Sequence, residues 1–173
     1  GVFEQIRPFN PRKLSPRDID ESTDAWDTID WLVKNVRNNN GKAGIHGISY
    51  PGFYSTMALI NAHPALKAVS PQAPIADWFL GDDAHHNGAF FLQDAAFGFI
   101  YWMGQSGEAP TRKWGPGFTY PTPDNYEFCL SLGALKNITA KYYGDKFKFW
   151  NDVLAHPDYD DFWKARNPLR HLK

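Results

Sequence analysis

The segment with the clearest chemical potential runs from Gly47 to Gly52 and reads Gly-Ile-Ser-Tyr-Pro-Gly. Its serine, Ser49, follows a short apolar run and precedes a segment whose apolar residues have helical spacing. A serine at such a turn can be a nucleophile, because small residues let strand and helix approach and the helix start supplies N–H donors for an oxyanion. Pro51 suits the first helical turn, where its missing N–H is not needed. The same pattern also occurs in plain turns that start a helix, so spacing alone leaves both interpretations open.

Histidines at 46, 85 and 86 are the other residues that could take part in catalysis or bind a metal. A catalytic histidine needs a carboxylate on its far nitrogen, and we do not expect His85 or His86 to be the base. Adjacent histidines point in different directions, and the segment 82–86 lacks a recognised ligand spacing. We therefore predict no metal site and no cofactor. His46, on the predicted strand before Ser49, is expected to lie in the core with its ring nitrogens satisfied.

The elements that would position Ser49 follow from the periodicity of the apolar residues. The clearest helix lies within 20–40, with an apolar face at i, i+3, i+4 and i+7, formed by Trp26, Ile29, Leu32, Val33 and Val36. Ser22 or Thr23 is predicted to cap its start. Residues 42–49 predict a strand buried on both faces, residues 53–63 a helix, and residues 65–74 a second strand. This order predicts an α/β fold with parallel strands.

Beyond Asp77 the sequence changes to aromatic residues and helix formers. Helical patterns occupy four segments, 89–103, 125–137, 148–156 and 159–166. No strand signal follows residue 76. We therefore predict part of an α/β core at 1–77, an inserted α-helical cap at 78–165 and a return segment at 166–173.

Composition limits the classes of partner. The 173 residues carry 18 basic and 19 acidic side chains, for a net charge of −1, and show no basic stripe or polybasic tail. Nucleic-acid and membrane partners are therefore not expected. The single cysteine, Cys129, excludes an intrachain disulfide and a Cys-based zinc site.

Two parallel strands do not make a stable sheet, so we expect a larger protein. The chain starts at Gly1, and the true N-terminus, with any compartment signal, is expected to lie outside this sequence.

Four motifs in this chain resemble the X-Pro dipeptidyl-peptidase-like acyl hydrolases. They are DESTDAWDTIDWLVKN (20–35), GISYPG (47–52), DWFLGDDAHHNGAF (77–90) and HPDYDDFWKARNPLRHLK (156–173). The family group comprises cocaine esterases, α-amino acid ester hydrolases and glutaryl-7-aminocephalosporanic acid acylases. The resemblance implies an α/β-hydrolase core with an inserted helical cap, of which this chain would be the part that contains the nucleophile elbow.

The resemblance also implies roles for particular residues. Ser49 matches the family's nucleophile, and the backbone N–H of Tyr50 matches one oxyanion donor. The family's triad acid and histidine would lie beyond Lys173. Asp83, with Asp82 beside it, matches a carboxylate that holds the substrate's ammonium group in the α-amino acid ester hydrolases. Both aspartates could instead cap the following helix or pair with a nearby cation.

The predicted function is hydrolysis of small ester or amide substrates through an acyl-enzyme on Ser49. A proline-specific dipeptidyl-peptidase on the same scaffold is the alternative within enzymes. A catalytically inert helical binding or packing module is the alternative from another class. The expected partner is a small-molecule ester or amide substrate, and a homo-oligomer of the intact enzyme is left open.

Overall fold

The computed structural model describes residues 6–12, 15–81, 84–104 and 115–172, which form two compact units. The first unit comprises Ile6–Trp78 together with 161–172, and it contains Ser49. The second unit lies within Phe79–Asp160. The boundaries predicted from the sequence for the cap, 78–165, and for the return segment, 166–173, stay predictions.

Helix α1 of the first unit spans Glu21–Asn35, and its N-cap is Asp20, not the predicted Ser22 or Thr23. The backbone of Asp20 is extended, and its carboxylate accepts a hydrogen bond from the N–H of Thr23 at 3.0 Å. The Thr23 hydroxyl in turn accepts from the N–H of Asp20, which completes a capping box. The cap prediction was wrong because Ser22 and Thr23 both act as partners of the buried Asp20 carboxylate.

The parallel sheet of the first unit pairs β1 (Ala43–Ile48) with β2 (Leu66–Gln72), as the order of elements predicted. Helix α2 (Tyr50–Met57) follows β1 directly and packs on both strands. The register sets Ile48 opposite Gln72, so both strands end at one edge of the sheet.

Burial of β1 on both faces was a wrong prediction, because Gly44, His46 and Ile48 are exposed. The alternation of β1 places these residues on the face opposite α2. His46 is therefore a surface residue in this structure and not the core histidine that the sequence predicted. The core lies on the side of the helices, where Ile29, Phe53 and Met57 are buried.

The chain closes the first unit with helix α7 (Asp161–Lys164) and a 3₁₀ turn at Pro168–His171. The Asn167 side-chain amide donates to Asp77 Oδ2 at 2.8 Å, and Trp163 is buried. This contact fastens the end of the described chain to the residues that follow β2.

The second unit contains a short antiparallel ladder, β3 (His85–His86) with β4 (Ala89–Phe90), although no strand was predicted after residue 76. Asn87 and Gly88 join the two strands with positive φ angles of 49° and 85°. Two left-handed residues in a two-residue loop match the twist of a hairpin. The Asn-Gly pair was therefore the signal for this ladder.

Most of the described remainder of the second unit, apart from loops such as 115–124, is helical, and its helices fall within the segments 89–103, 125–143 and 148–156. A π-helix at Leu92–Ile100 continues as α3 (Tyr101–Met103), and α4 (Asn125–Leu132) and α5 (Lys136–Ile138) follow. A second π-helical turn occupies Thr139–Tyr143, and α6 spans Lys148–Ala155. An aromatic core packs between these helices, and its buried members include Phe97, Phe128, Tyr143, Phe147 and Trp150.

A buried hydrogen bond joins the two π-helical segments, since the Tyr143 hydroxyl donates to the carbonyl of Ala96 at 2.7 Å. The Trp150 indole N–H donates to Thr139 Oγ1 at 2.7 Å. Within the ranges that the structure describes, no helix has the length and apolarity needed to cross a membrane. Over the same ranges, no group of three or more His, Cys, Asp or Glu residues is placed to hold a metal ion.

Candidate active site

Ser49 occupies the single-residue junction between β1 and α2, at the carboxyl edge of the sheet. Its backbone has φ 61° and ψ −122°, and the residue is exposed. A non-glycine residue in this conformation costs on the order of 1–3 kcal/mol and persists where the surroundings enforce it. The strained turn presents the serine hydroxyl outward between a strand and a helix, which is the geometry of a nucleophile elbow.

Gly47 and Gly52 permit the close approach of strand and helix around this turn. A Cβ atom on Gly47 would lie 2.3 Å from the carbonyl oxygen of Pro51. A Cβ atom on Gly52 would lie 2.8 Å from the carbonyl oxygen of Gln72 and 3.1 Å from that of Gly47. Both distances are too short for any side chain, so the two glycines are steric requirements of the turn.

Backbone hydrogen bonds hold the turn from both sides. The Ser49 N–H donates to the carbonyl of Gln72 at 3.0 Å, which extends the β1–β2 ladder to the turn. The Ser49 carbonyl accepts from the N–H of Phe53 at 3.0 Å, which starts α2. The N–H of Tyr50 lies in the first turn of α2, next to the serine, where helix N–H groups favour negative charge. It can therefore stabilise an oxyanion that forms on a carbonyl group bonded to Ser49.

The Tyr50 side chain turns inward from this first helical turn, and the residue is 8% exposed. Its ring packs edge-on against Tyr54 at 4.8 Å and against Trp78 at 5.9 Å between centroids. Its hydroxyl lies near Tyr54 and the backbone of Ile6. Burial, followed by the neighbouring Tyr54, raises the pKa of the Tyr50 hydroxyl far above its ordinary value. The hydroxyl therefore stays neutral, and the packed ring holds the start of the helix.

An ion pair between Arg7 and Glu21 lies near this tyrosine and is not predictable from the sequence. Arg7 Nε donates to Glu21 Oε2 at 3.0 Å, and the Arg7 backbone N–H donates to Glu21 Oε1 at 3.1 Å. The Arg7 guanidinium also contacts Asp24. Burial raises the pKa of Glu21, against the lowering effect of Arg7. Nothing in the local sequence around Glu21 indicates Arg7, which lies 14 residues earlier, as its partner.

The other predicted site residues are distant from Ser49 in the sequence. Asp82 and Asp83 lie outside the described residues. His85 belongs to the second unit, where its ring stacks on Phe79 at 4.1 Å and burial lowers its pKa. In the described part of the first unit, no hydrogen bond joins Ser49 Oγ to a histidine or a carboxylate.

The strand, strained serine and helix define an α/β-hydrolase type of turn, and comparisons with known proteins agree with that class. The family model described as X-Pro dipeptidyl-peptidase (S15 family) matches residues 13–173. The chain belongs to this family, which confirms the resemblance that the four motifs indicated.

Two solved structures are similar to this chain over 97% of its length. An aminopeptidase from a marine sediment archaeon, Thaumarchaeota archaeon, matches with 34% identity and a TM-score of 0.82. An α-amino acid ester hydrolase labelled with selenomethionine matches with 38% identity and a TM-score of 0.80. In each case the match covers 26% of the other chain.

A cocaine esterase from Rhodococcus sp. (strain MB1 Bresler) is 23% identical over 184 residues, which cover 99% of this chain and 29% of the esterase. The chain therefore spans less than a third of the length of each of these relatives. All three relatives are hydrolases by name.

Proposed function

We propose that this chain carries the nucleophile of a serine acyl hydrolase. Ser49 Oγ would attack the carbonyl carbon of an ester or amide and lose its proton to a base, and the alcohol or amine would leave with a proton. Water would then release the acid from the acyl-enzyme and restore the serine. The observation that carries the proposal is the strained Ser49 backbone, at φ 61° and ψ −122°, with both flanking glycines sterically required.

The N–H of Tyr50 is the proposed oxyanion donor of this reaction. It directly follows the nucleophile and lies in the first turn of α2. Donors that are already in place before charge develops are worth a factor of about 100 to 1,000 in rate each. We place the triad base and acid in a region of the intact enzyme that corresponds to the unaligned part of the relatives. In the described part of the first unit, no histidine or carboxylate is hydrogen-bonded to Ser49 Oγ.

The proposed substrates are small esters or amides, with an α-amino group on the acyl side as the favoured class. This proposal follows the similarity to the α-amino acid ester hydrolase and the family assignment of Asp83, with Asp82 beside it. A carboxylate that faces an ammonium group in a dry pocket discriminates strongly against substrates without the amine. The proposed helical cap at 78–165 would contribute this carboxylate. An X-Pro dipeptidyl-peptidase is the second candidate, favoured by the family model itself.

A fluorophosphonate probe tests the nucleophile. The full-length protein is treated with the probe, and the modified residue is located by mass spectrometry. We expect the adduct on Ser49 and its loss in Ser49→Ala. Ser70→Ala is the matched control, because Ser70 is an exposed serine on the neighbouring strand. An active protein labelled at another residue would overturn the assignment, and a protein with neither label nor activity would favour the inert binding module.

Three substrates separate the proposed classes: phenylglycine methyl ester, its des-amino analogue and an X-Pro anilide. We expect kcat/KM to be highest for the amino ester, and this preference to disappear in Asp83→Asn but not in Asp82→Asn. A preference for the anilide would instead support the dipeptidyl-peptidase. An amine preference that survives in both variants would exclude the carboxylate role.

A further inference from the structure

Trp78 is a buried tryptophan in the loop that follows β2, and the residue is 3% exposed. Its ring packs edge-on against Phe53 at 5.5 Å and against Tyr50 at 5.9 Å between centroids. Tyr50 and Phe53 also pack against each other at 5.8 Å, so the three rings form a closed triangle. Aromatic rings at such separations attract one another in tilted and edge-to-face arrangements. The triangle therefore joins the loop after β2 to the first turn of α2.

The two helical members of this triangle hold the peptide that carries the proposed oxyanion donor. That peptide is the planar unit between Ser49 and Tyr50, with the Ser49 carbonyl on one side and the Tyr50 N–H on the other. The Ser49 carbonyl accepts a hydrogen bond from the Phe53 N–H at 3.0 Å. Because the unit is planar, this bond and the position of Tyr50 together set the direction of the Tyr50 N–H. A shift of either aromatic residue would therefore turn the donor.

The loop that carries Trp78 is fixed at both of its ends. At its start, the Gln72 carbonyl accepts a hydrogen bond from the Ser49 N–H at 3.0 Å. At its end, Asp77 Oδ2 accepts a hydrogen bond from the Asn167 side-chain amide at 2.8 Å. The second anchor lies directly before the tryptophan in the chain. The loop therefore presents the Trp78 ring to the start of α2 from a fixed backbone.

We propose that Trp78 is a positioning residue, which holds the peptide between Ser49 and Tyr50 in the orientation that oxyanion stabilisation requires. This inference rests on the proposed function. The Trp78 ring packs on the side chain of the donor residue, Tyr50. It also packs on Phe53, whose N–H binds the carbonyl of the same peptide. The effect of Trp78 on the reaction therefore passes through these two residues and not through contact with the substrate.

The test compares three variants of Trp78 in the full-length protein. Trp78→Phe keeps an aromatic ring, whereas Trp78→Met and Trp78→Leu keep an apolar side chain without a ring. The readout is the rate constant of fluorophosphonate labelling at Ser49, with kcat and KM for an ester substrate. Each labelling time course is normalised to its own plateau, which separates a misplaced donor from a smaller folded fraction. Trp163→Leu is the matched control, because it truncates another buried tryptophan of the first unit, which packs on Phe162 in its own helix.

We expect Trp78→Met and Trp78→Leu to lower the labelling rate constant and kcat about tenfold with KM unchanged, because a displaced donor acts on the transition state. Methionine fills irregular space, so Trp78→Met keeps the test decisive if Trp78→Leu does not fold. Trp78→Phe should stay within about threefold of the wild-type rate constant, because its ring can still pack on both neighbours. Trp163→Leu should lower the urea midpoint but keep the wild-type rate constant.

Three results would overturn the positioning role. A wild-type rate constant in Trp78→Met or Trp78→Leu, with only a lower urea midpoint, would show that the tryptophan is structural. An equal loss of rate in Trp163→Leu would show that any destabilisation of this unit slows Ser49. An equal loss in Trp78→Phe would show that ring packing is not the cause. If the wild-type protein is not labelled at Ser49, the proposed function fails and this inference fails with it, whereas labelling with unaffected variants removes this inference alone.

Discussion

Gly47→Ala perturbs the nucleophile turn at its tightest contact. The added Cβ would lie 2.3 Å from the carbonyl oxygen and 2.4 Å from the carbonyl carbon of Pro51. Ordinary contacts begin at 3.4 Å, so the end of β1 and the first turn of α2 must separate by about 1 Å. Overpacking of this kind costs about 1–3 kcal/mol, and a 1 Å displacement of catalytic groups costs about 100-fold in rate.

The assay is the rate constant of fluorophosphonate labelling at Ser49 in the full-length protein, with the urea midpoint measured on the same samples. We expect Gly47→Ala to label about 100-fold more slowly than wild type. Gly52→Ala, with its nearest contact at 2.8 Å, should lose less. Gly44→Ala, on the same strand, meets nothing closer than 3.7 Å and should label normally. The graded series keeps the test informative if Gly47→Ala folds poorly.

A near-normal labelling rate in Gly47→Ala would refute the steric reasoning, because it would show that the turn can open by about 1 Å without disturbing the nucleophile. Losses that do not follow the order of the three contact distances would refute it as well.

Three further predictions concern stability, measured as urea midpoints. Asp20→Ala should lower the free energy of unfolding by about 2 kcal/mol, because the buried Asp20 carboxylate accepts hydrogen bonds from two backbone N–H groups and a serine hydroxyl. An unchanged urea midpoint would contradict the capping box. Tyr143→Phe should lower the free energy of unfolding by about 1 kcal/mol, because it removes a buried hydrogen bond to the Ala96 carbonyl, which keeps its bond from the Tyr101 N–H. Tyr142→Phe, at a half-exposed position, should be near neutral. Burial lowers the pKa of His85 below 6.5, so the unfolded state binds its proton more readily and stability should fall as the pH drops below that value. His85→Gln should lessen this fall, and an unchanged pH slope would count against it.

The sequence by itself determined the strand, turn and helix around Ser49, and the parallel pairing of β1 with β2. These features depend on local patterns: small residues on both sides of the serine, helical spacing after it, and the order of elements. The start of α1 was harder to predict because Asp20, Ser22 and Thr23 are all good capping residues. Asp20 caps the helix because its carboxylate is fully buried and accepts hydrogen bonds there. Burial depends on the tertiary structure and not on the local sequence.

The tertiary structure decided how the turn is held. Ser49 adopts φ 61° because the Gln72 carbonyl on the neighbouring strand and the first turn of α2 constrain it together. Arg7 and Glu21 pair with each other although 14 residues separate them in the sequence. No period or spacing in the sequence links these two positions, because their contact requires residues 6–12 to pack against α1. The chemistry was therefore visible in a six-residue motif, whereas the structure that supports it became visible only in three dimensions.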